Sequence, residues 1–180
     1  MKNKTEKSFF AGFGGQGIVL LGQLWASCAV KQGKKATFFP FYGAEKRGGV
    51  ARANVIVSDG DIASPLVEQA DSAVVMNEES LPLCEKMLKQ GGLLLVNSAL
   101  VKREPSRSDI RVFKINACEI AERIGNIRFA NRVVFGALAK LTGALSLKKI
   151  DAAVRAFFPR EKERHVPLNI KAIEAGFTAI

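Results

Sequence analysis

Phe9-Phe10-Ala11-Gly12-Phe13-Gly14-Gly15-Gln16-Gly17 decides the fold. Two aromatics and an alanine form a short apolar run that glycines terminate, the pattern of a buried strand. Four glycines within six residues then let the backbone turn sharply and approach another group closely. Directly after them, Ile18, Leu21, Trp25, Cys28 and Ala29 recur at helical spacing on one face. Strand, glycine turn and helix open a doubly wound α/β domain. The free N–H groups at such a helix start form a natural anion site.

Gly12, Gly14 and Gly17 fit G-x-G-x-x-G, with Gly15 as an extra glycine. A dinucleotide site also wants an acid about 20 residues further on, to hold the ribose hydroxyls. That region reads Lys35-Ala36-Thr37-Phe38-Phe39-Pro40 and carries none; the first nearby carboxylate is Glu45. NAD binding is therefore disfavoured. The glycines can also serve tight helix–strand packing alone, and the two uses stay open.

Moving outward, the first helix is expected to end near Gly33, and Ala36–Phe39 forms a second strand stopped by Pro40. The loop Phe41-Tyr42-Gly43-Ala44-Glu45-Lys46-Arg47-Gly48-Gly49 follows, with three charges and three glycines. Residues 50–58 alternate as a third strand. Ser64-Pro65 is expected to open a short helix. Ser72–Met76 forms a fourth strand ending at Asn77, residues 78–89 a helix stopped at Gly91-Gly92, and Leu93–Val96 a fifth strand ending at Asn97-Ser98. After a polar loop, residues 110–115 alternate and close the sheet; helices are expected from 116, over 131–141, over 146–158 and over 168–180. Continuously apolar strands suit a parallel sheet covered on both faces. The predicted fold is a single doubly wound, mostly parallel, Rossmann-like sheet flanked by helices, with a helical C-terminal part, in one domain over 1–180.

In open α/β sheets ligands sit beyond the carboxyl ends of the strands. The glycine turn, the Tyr42–Gly49 loop, Asn77 and Asn97-Ser98 should share that rim. Backbone N–H groups, amides, hydroxyls, an arginine and a lysine suit a phosphorylated or carboxylated ligand, whereas no nucleophile–base pair is evident. The asparagines can equally be strand-end turn chemistry.

A net charge of +10 is spread along the chain rather than gathered in a block. It is read as a solvated basic surface without nucleic-acid binding, one that still attracts phosphorylated ligands or acidic partners. No apolar stretch reaches the length of a membrane span, and no apolar signal segment follows the charged N-terminus; a cytoplasmic location is expected. Cys28, Cys84 and Cys118 form no C-x-x-C pair, so cluster or zinc ligation by this chain alone is not expected. His165 sits among charges, where an exposed position is expected.

The G-x-G-G-Q-G turn at 12–17, the series Phe39-Pro40-Phe41-Tyr42-Gly43-Ala44-Glu45-Lys46-Arg47-Gly48-Gly49, Met76-Asn77, Val96-Asn97-Ser98 and Asn131-Arg132-Val133-Val134-Phe135-Gly136-Ala137-Leu138 occur together. In this the chain, from about Phe10 to Gly176, resembles the γ subunit of the 2-oxoacid:ferredoxin oxidoreductases, which act on pyruvate, 2-oxoglutarate, 2-ketoisovalerate or indolepyruvate. The resemblance implies a part in oxidative decarboxylation of a 2-oxoacid to an acyl-CoA, with electrons passed to ferredoxin or flavodoxin. It implies no catalytic residue and no resident cofactor here. Thiamine diphosphate, Mg and 4Fe-4S clusters would belong to α, β and possibly δ partner subunits, and coenzyme A would be the co-substrate. Gly12, Gly14, Gly15, Gln16, Gly17, Tyr42, Gly43, Glu45, Arg47, Gly48, Gly49, Asn77, Asn97 and Ser98 become candidate coenzyme A or interface contacts. Lys46 stands where many relatives carry an uncharged residue. A free-standing nucleotide-binding oxidoreductase is the competing reading.

Overall fold

A computed structural model describes residues 4–42, 49–158 and 165–180. Within them lies a six-stranded sheet in the order β2-β3-β1-β4-β5-β6. The strands are β1 (Thr5–Phe13), β2 (Lys35–Tyr42), β3 (Val50–Ser58), β4 (Ala70–Val75), β5 (Leu88–Asn97) and β6 (Arg111–Ile115). β1 pairs parallel with β4, β4 with β5 and β5 with β6, while β3 runs antiparallel to both β1 and β2. Reversal of β3 alone leaves the other strands pointing one way, so the mostly parallel sheet expected from the sequence holds. The Phe9-Phe10-Ala11 run sits near its middle, paired on both sides.

The pleat sends alternate residues to opposite faces. Phe10, Val55, Val74 and Leu95 face a thick layer built from α1 (Ile18–Lys31), α3 (Ala117–Ile124), α4 (Ala130–Thr142), α5 (Ile150–Phe157) and α6 (Val166–Thr178). Phe9, Ala11, Ile56, Val75 and Leu94 face a thinner one made by α2 (Leu81–Met87) and by loop residues such as Val67 and Val101. Trp25 of α1 anchors the thick side, edge-on to Phe10 at 6.5 Å and to Phe135 of α4 at 5.0 Å. Such pairs add roughly 0.5–1.5 kcal/mol beyond area burial.

Helices α4 and α6 meet through glycine. A Cβ on Gly136 would lie 1.8 Å from the Ile173 carbonyl oxygen, and one on Gly176 would lie 1.8 Å from that of Val133. No side chain fits at either position, so the two backbones pack directly and bring residues 132 and 169 together.

Four local expectations need correction. Pro40 does not stop the second strand, which continues to Tyr42; β2 is an edge strand, where a missing N–H costs little. The first strand is longer than its apolar part, because Thr5, Glu6 and Lys7 pair in register with Ser58, Val57 and Ile56. No helix follows Ser64-Pro65. Ser64 Oγ does accept the Leu66 N–H at 3.2 Å, but β4 begins at Ala70, leaving too few residues to repay helix nucleation. The helix expected over 78–89 is a 3-10 turn at Glu78–Ser80 followed by α2, which ends at Met87 because Leu88 already pairs with Ala70.

Candidate functional site

The carboxyl ends of β1, β2, β4 and β5 form one rim, where β3 begins. The glycine turn is fixed there by its own glutamine. Gln16 Oε1 accepts the Phe13 N–H at 2.7 Å, and Nε2 donates to the Met76 carbonyl at 3.0 Å, tying the turn to the end of β4. The Gly14 N–H donates to the Gly49 carbonyl at 3.0 Å, which fastens the start of β3 to the same turn.

Gly17 caps α1 at φ 75°, in the left-handed region. No side chain caps α1 and its first turn holds no acid, so the orphan N–H groups and the positive end of the dipole stay available to an anion. A Cβ on Gly17 would also lie 2.2 Å from Asn131 Nδ2. That amide instead donates to the Gly17 carbonyl at 3.1 Å and joins α4 to the turn.

Beside this helix start opens a cavity of about 680 Å³, lined by Gly15, Gln16 and Gly17, by Met76, by the Asn126–Arg132 segment and by parts of α6. Arg132 is 7% exposed. Its Nη1 donates to Asn131 Oδ1 at 2.6 Å and its Nε to Asn169 Oδ1 at 2.8 Å. Asn169 Nδ2 donates in turn to the His165 carbonyl at 2.6 Å. The guanidinium carbon lies 5.8 Å from the Phe158 ring centroid. Among the described residues no carboxylate pairs with Arg132. Burial lowers its pKa to about 10, which leaves it a cation at neutral pH.

Of the residues singled out from the sequence, Gly15, Gln16 and Gly17 line the cavity. Gly12 lies within β1, and Gly14 and Gly49 support the turn through their mutual bond. Tyr42 closes β2 opposite Ala51; Gly43, Glu45, Lys46, Arg47 and Gly48 lie outside the described residues. Asn77 is buried beside the turn, with Nδ2 on Glu79 at 2.8 Å and Oδ1 without a partner among the described residues. Asn97 is fully buried, and its Oδ1 accepts from Ala117 at 3.2 Å and Ala99 at 3.4 Å. Ser98 donates its N–H to Ile115 at 3.0 Å. His165 is exposed, as expected.

Sequence reasoning did not select Asn131, Arg132 and Asn169 as site residues. A signal was present: Asn131-Arg132 stands directly before the apolar run 133–139 of α4, and the helix buries both. Among the described residues no group of His, Cys, Asp and Glu could hold a metal ion, and no helix is long and apolar enough to cross a membrane.

Residues 7–179 match the family described as pyruvate ferredoxin/flavodoxin oxidoreductase. The chain is 35% identical over 173 residues to 2-oxoglutarate synthase subunit KorC of Methanothermobacter thermautotrophicus, covering 92% of this chain and 90% of that one. It is 33% identical over 168 residues to ketoisovalerate oxidoreductase subunit VorA of the same organism, of which it spans only 34%. The crystal structure of a keto/oxoacid ferredoxin oxidoreductase γ subunit from Geobacter sulfurreducens superposes with a TM-score of 0.83 at 35% identity, over 96% of both chains. A 2-oxoglutarate:ferredoxin oxidoreductase from Magnetococcus marinus, solved with 2-oxoglutarate, coenzyme A and succinyl-CoA bound, shares the fold with a TM-score of 0.86 at 22% identity, over 98% of this chain and 32% of that one. On this sequence and structural agreement, the chain belongs to the pyruvate ferredoxin/flavodoxin oxidoreductase family.

Proposed function

We propose that the chain is one γ-type domain over 1–180, the γ subunit of a multi-subunit 2-oxoacid:ferredoxin oxidoreductase. It supports oxidative decarboxylation of a 2-oxoacid to an acyl-CoA, contacts coenzyme A at the glycine rim and helps assemble the complex. The observation that carries the reading is the uncapped, acid-free start of α1 beside a cavity that buries a cation. That arrangement suits a phosphorylated ligand. The near-full-length agreement with a KorC subunit and a solved γ subunit supports the subunit role. Coenzyme A bound to the Magnetococcus enzyme supports the choice of ligand.

On this reading thiamine diphosphate, Mg and 4Fe-4S clusters reside in α, β and possibly δ subunits, and ferredoxin or flavodoxin takes the electrons. This chain's residues bind and orient, and none carries the chemical step. A cytoplasmic location accords with three free, buried cysteines. Copurification of a tagged chain from its native host tests the assembly. Larger subunits, thiamine diphosphate and iron should elute with it; elution alone, without either cofactor, contradicts the reading. A free-standing nucleotide-binding oxidoreductase would instead reduce NAD unaided.

A further inference from the structure

Another cavity, of about 220 Å³, opens at the amino end of the parallel strands. Four charged side chains line it: Glu6 of β1, Asp71 of β4, Lys89 of β5 and Arg111 of β6, with Leu141 and Thr142 at the end of α4. Register explains why they meet. Ser8, Ser72, Leu93 and Arg111 form one row across four strands, and Glu6 lies on the same face one pleat further out. Glu6 and Arg111 therefore stand on opposite flanks, three strand spacings or about 14 Å apart across the sheet. Between them Asp71 and Lys89 pair with each other. Glu6 enters no ion pair among the described residues, and its buried Oε1 has no hydrogen-bond partner there. Arg111 donates its Nε–H to the Gly91 carbonyl at 3.3 Å and meets no carboxylate among the described residues. An acid and a base thus face one cavity with space between them.

A helix C-terminus adds to the acid. α4 ends at Thr142, where its last carbonyls carry the negative end of the dipole. The Thr142 carbonyl already accepts one ammonium, from Lys4 Nζ at 3.0 Å. We infer that this cavity binds a zwitterionic α-amino acid, its ammonium on Glu6 near the α4 C-terminus and its carboxylate on Arg111. The planar fork of Arg111 suits a carboxylate gripped by two N–H groups. The lining holds two acids and two bases, and a ligand of net zero charge leaves that balance unchanged. The volume falls below the roughly 300 Å³ at which pockets begin to take drug-sized ligands, which excludes nucleotides and coenzyme A. A specificity follows. An amino acid and its matching 2-oxoacid differ at Cα, ammonium against carbonyl, so Glu6 accepts the first and leaves the second without a partner. The site does not rest on the function proposed above, and its test needs no other subunit.

The test follows amide chemical shifts of the isotope-labelled full chain as glycine, alanine, serine or glutamine is added to tens of millimolar. At least one should move the amides of Glu6, Lys89 and Arg111 saturably. For each that binds, the matching 2-oxoacid and the matching amine should bind roughly tenfold more weakly or worse, because each lacks one charge-assisted contact. Arg111→Gln should weaken the amino acid by a similar factor; Arg111 is exposed, so the variant keeps the fold. Glu6→Gln should do the same and also remove a pH dependence. Burial holds the Glu6 carboxyl up at about 7; Ser72, Lys4 and Lys89 oppose that shift and Asp71 adds to it. Ionised Glu6 is the form that takes an ammonium, so native affinity should rise between about pH 6 and pH 8 and stay level in Glu6→Gln. A merely structural role for Glu6 would not produce that slope. No saturable shift near Glu6 and Arg111 with any of the four overturns the site. So does equal binding of an amino acid and its 2-oxoacid, or affinity unchanged in both variants.

Discussion

The two ends of the sheet each gather charged groups beside a cavity, and they treat them differently. At the carboxyl end, Arg132 is oriented by amides and faces a cavity of about 680 Å³. At the opposite end, a cavity of about 220 Å³ gathers Glu6, Asp71, Lys89 and Arg111. There Asp71 pairs with Lys89 and accepts the Lys7 N–H at 2.8 Å. Burial pushes the Glu6 carboxyl up to about 7; the Ser72 hydroxyl opposes that shift and Asp71 adds to it. At this end one carboxylate is paired and the other is pushed towards its neutral form. The carboxyl end leaves a cation unanswered among the described residues, in a rigid frame, beside a helix N-terminus. With no opposite charge beside it among the described residues, that arrangement does not serve stability, because a buried charge left unpaired is a net cost.

The largest expected effect breaks the frame at the carboxyl end. Gly176→Ala forces α6 away from the Val133 carbonyl and separates Asn169 from Arg132. Urea unfolding should show a loss of about 4 kcal/mol, above the roughly 1–3 kcal/mol usual for overpacking because the clash is with backbone. Unchanged stability would mean that the helices do not meet through these glycines.

Glu6 sharpens the contrast through pH. Its folded pKa, about 7, lies above the ordinary 4.5, so folding favours the neutral acid. Its contribution is fully present below pH 4.5 and is lost as the pH rises through 7. Glu6→Gln, which stays neutral, should match the native chain near pH 4.5 and exceed it by up to about 3 kcal/mol at pH 8. Equal stability at both pH values would show that Glu6 titrates as an exposed carboxyl.

A smaller change is expected from Gln16→Ala, which releases the glycine turn from Phe13 and Met76. It should cost about 1–2 kcal/mol while weakening coenzyme A more than it weakens the fold. Equal effects on both would make Gln16 a structural staple only. Smallest of all is Lys35→Ala, which removes an exposed ion pair with Asp61. No change in the melting midpoint should be measurable, as is usual for isolated surface pairs.

Much of the fold was legible where one local pattern dominated. The Phe9–Gly17 stretch read correctly because a short apolar run, clustered glycines and a helical stripe follow one another without ambiguity. The shared rim of the glycine turn, Asn77 and Asn97 followed from it. Pro40 misled because its effect depends on whether the strand lies at an edge, which is settled by pairing and not by local sequence. The helix expected over 78–89 overran because Leu88 is claimed by Ala70 across the sheet. Arg132 was hidden for a related reason. A cation at the start of a helix ordinarily reads as solvated, and only the approach of α6, permitted by two glycines 40 residues apart in sequence, buries it. What the chain decides tertiarily was not visible locally.

The central claim is that the carboxyl rim, and not the opposite end, meets the phosphorylated co-substrate. Amide chemical-shift mapping of the isotope-labelled full chain with coenzyme A tests it most directly. Shifts should concentrate at Gly14–Leu20 and around Asn131 and Arg132, with residues near Glu6 and Lys89 silent. Shifts centred on Glu6, Asp71 and Arg111, or none at saturating coenzyme A, would contradict it.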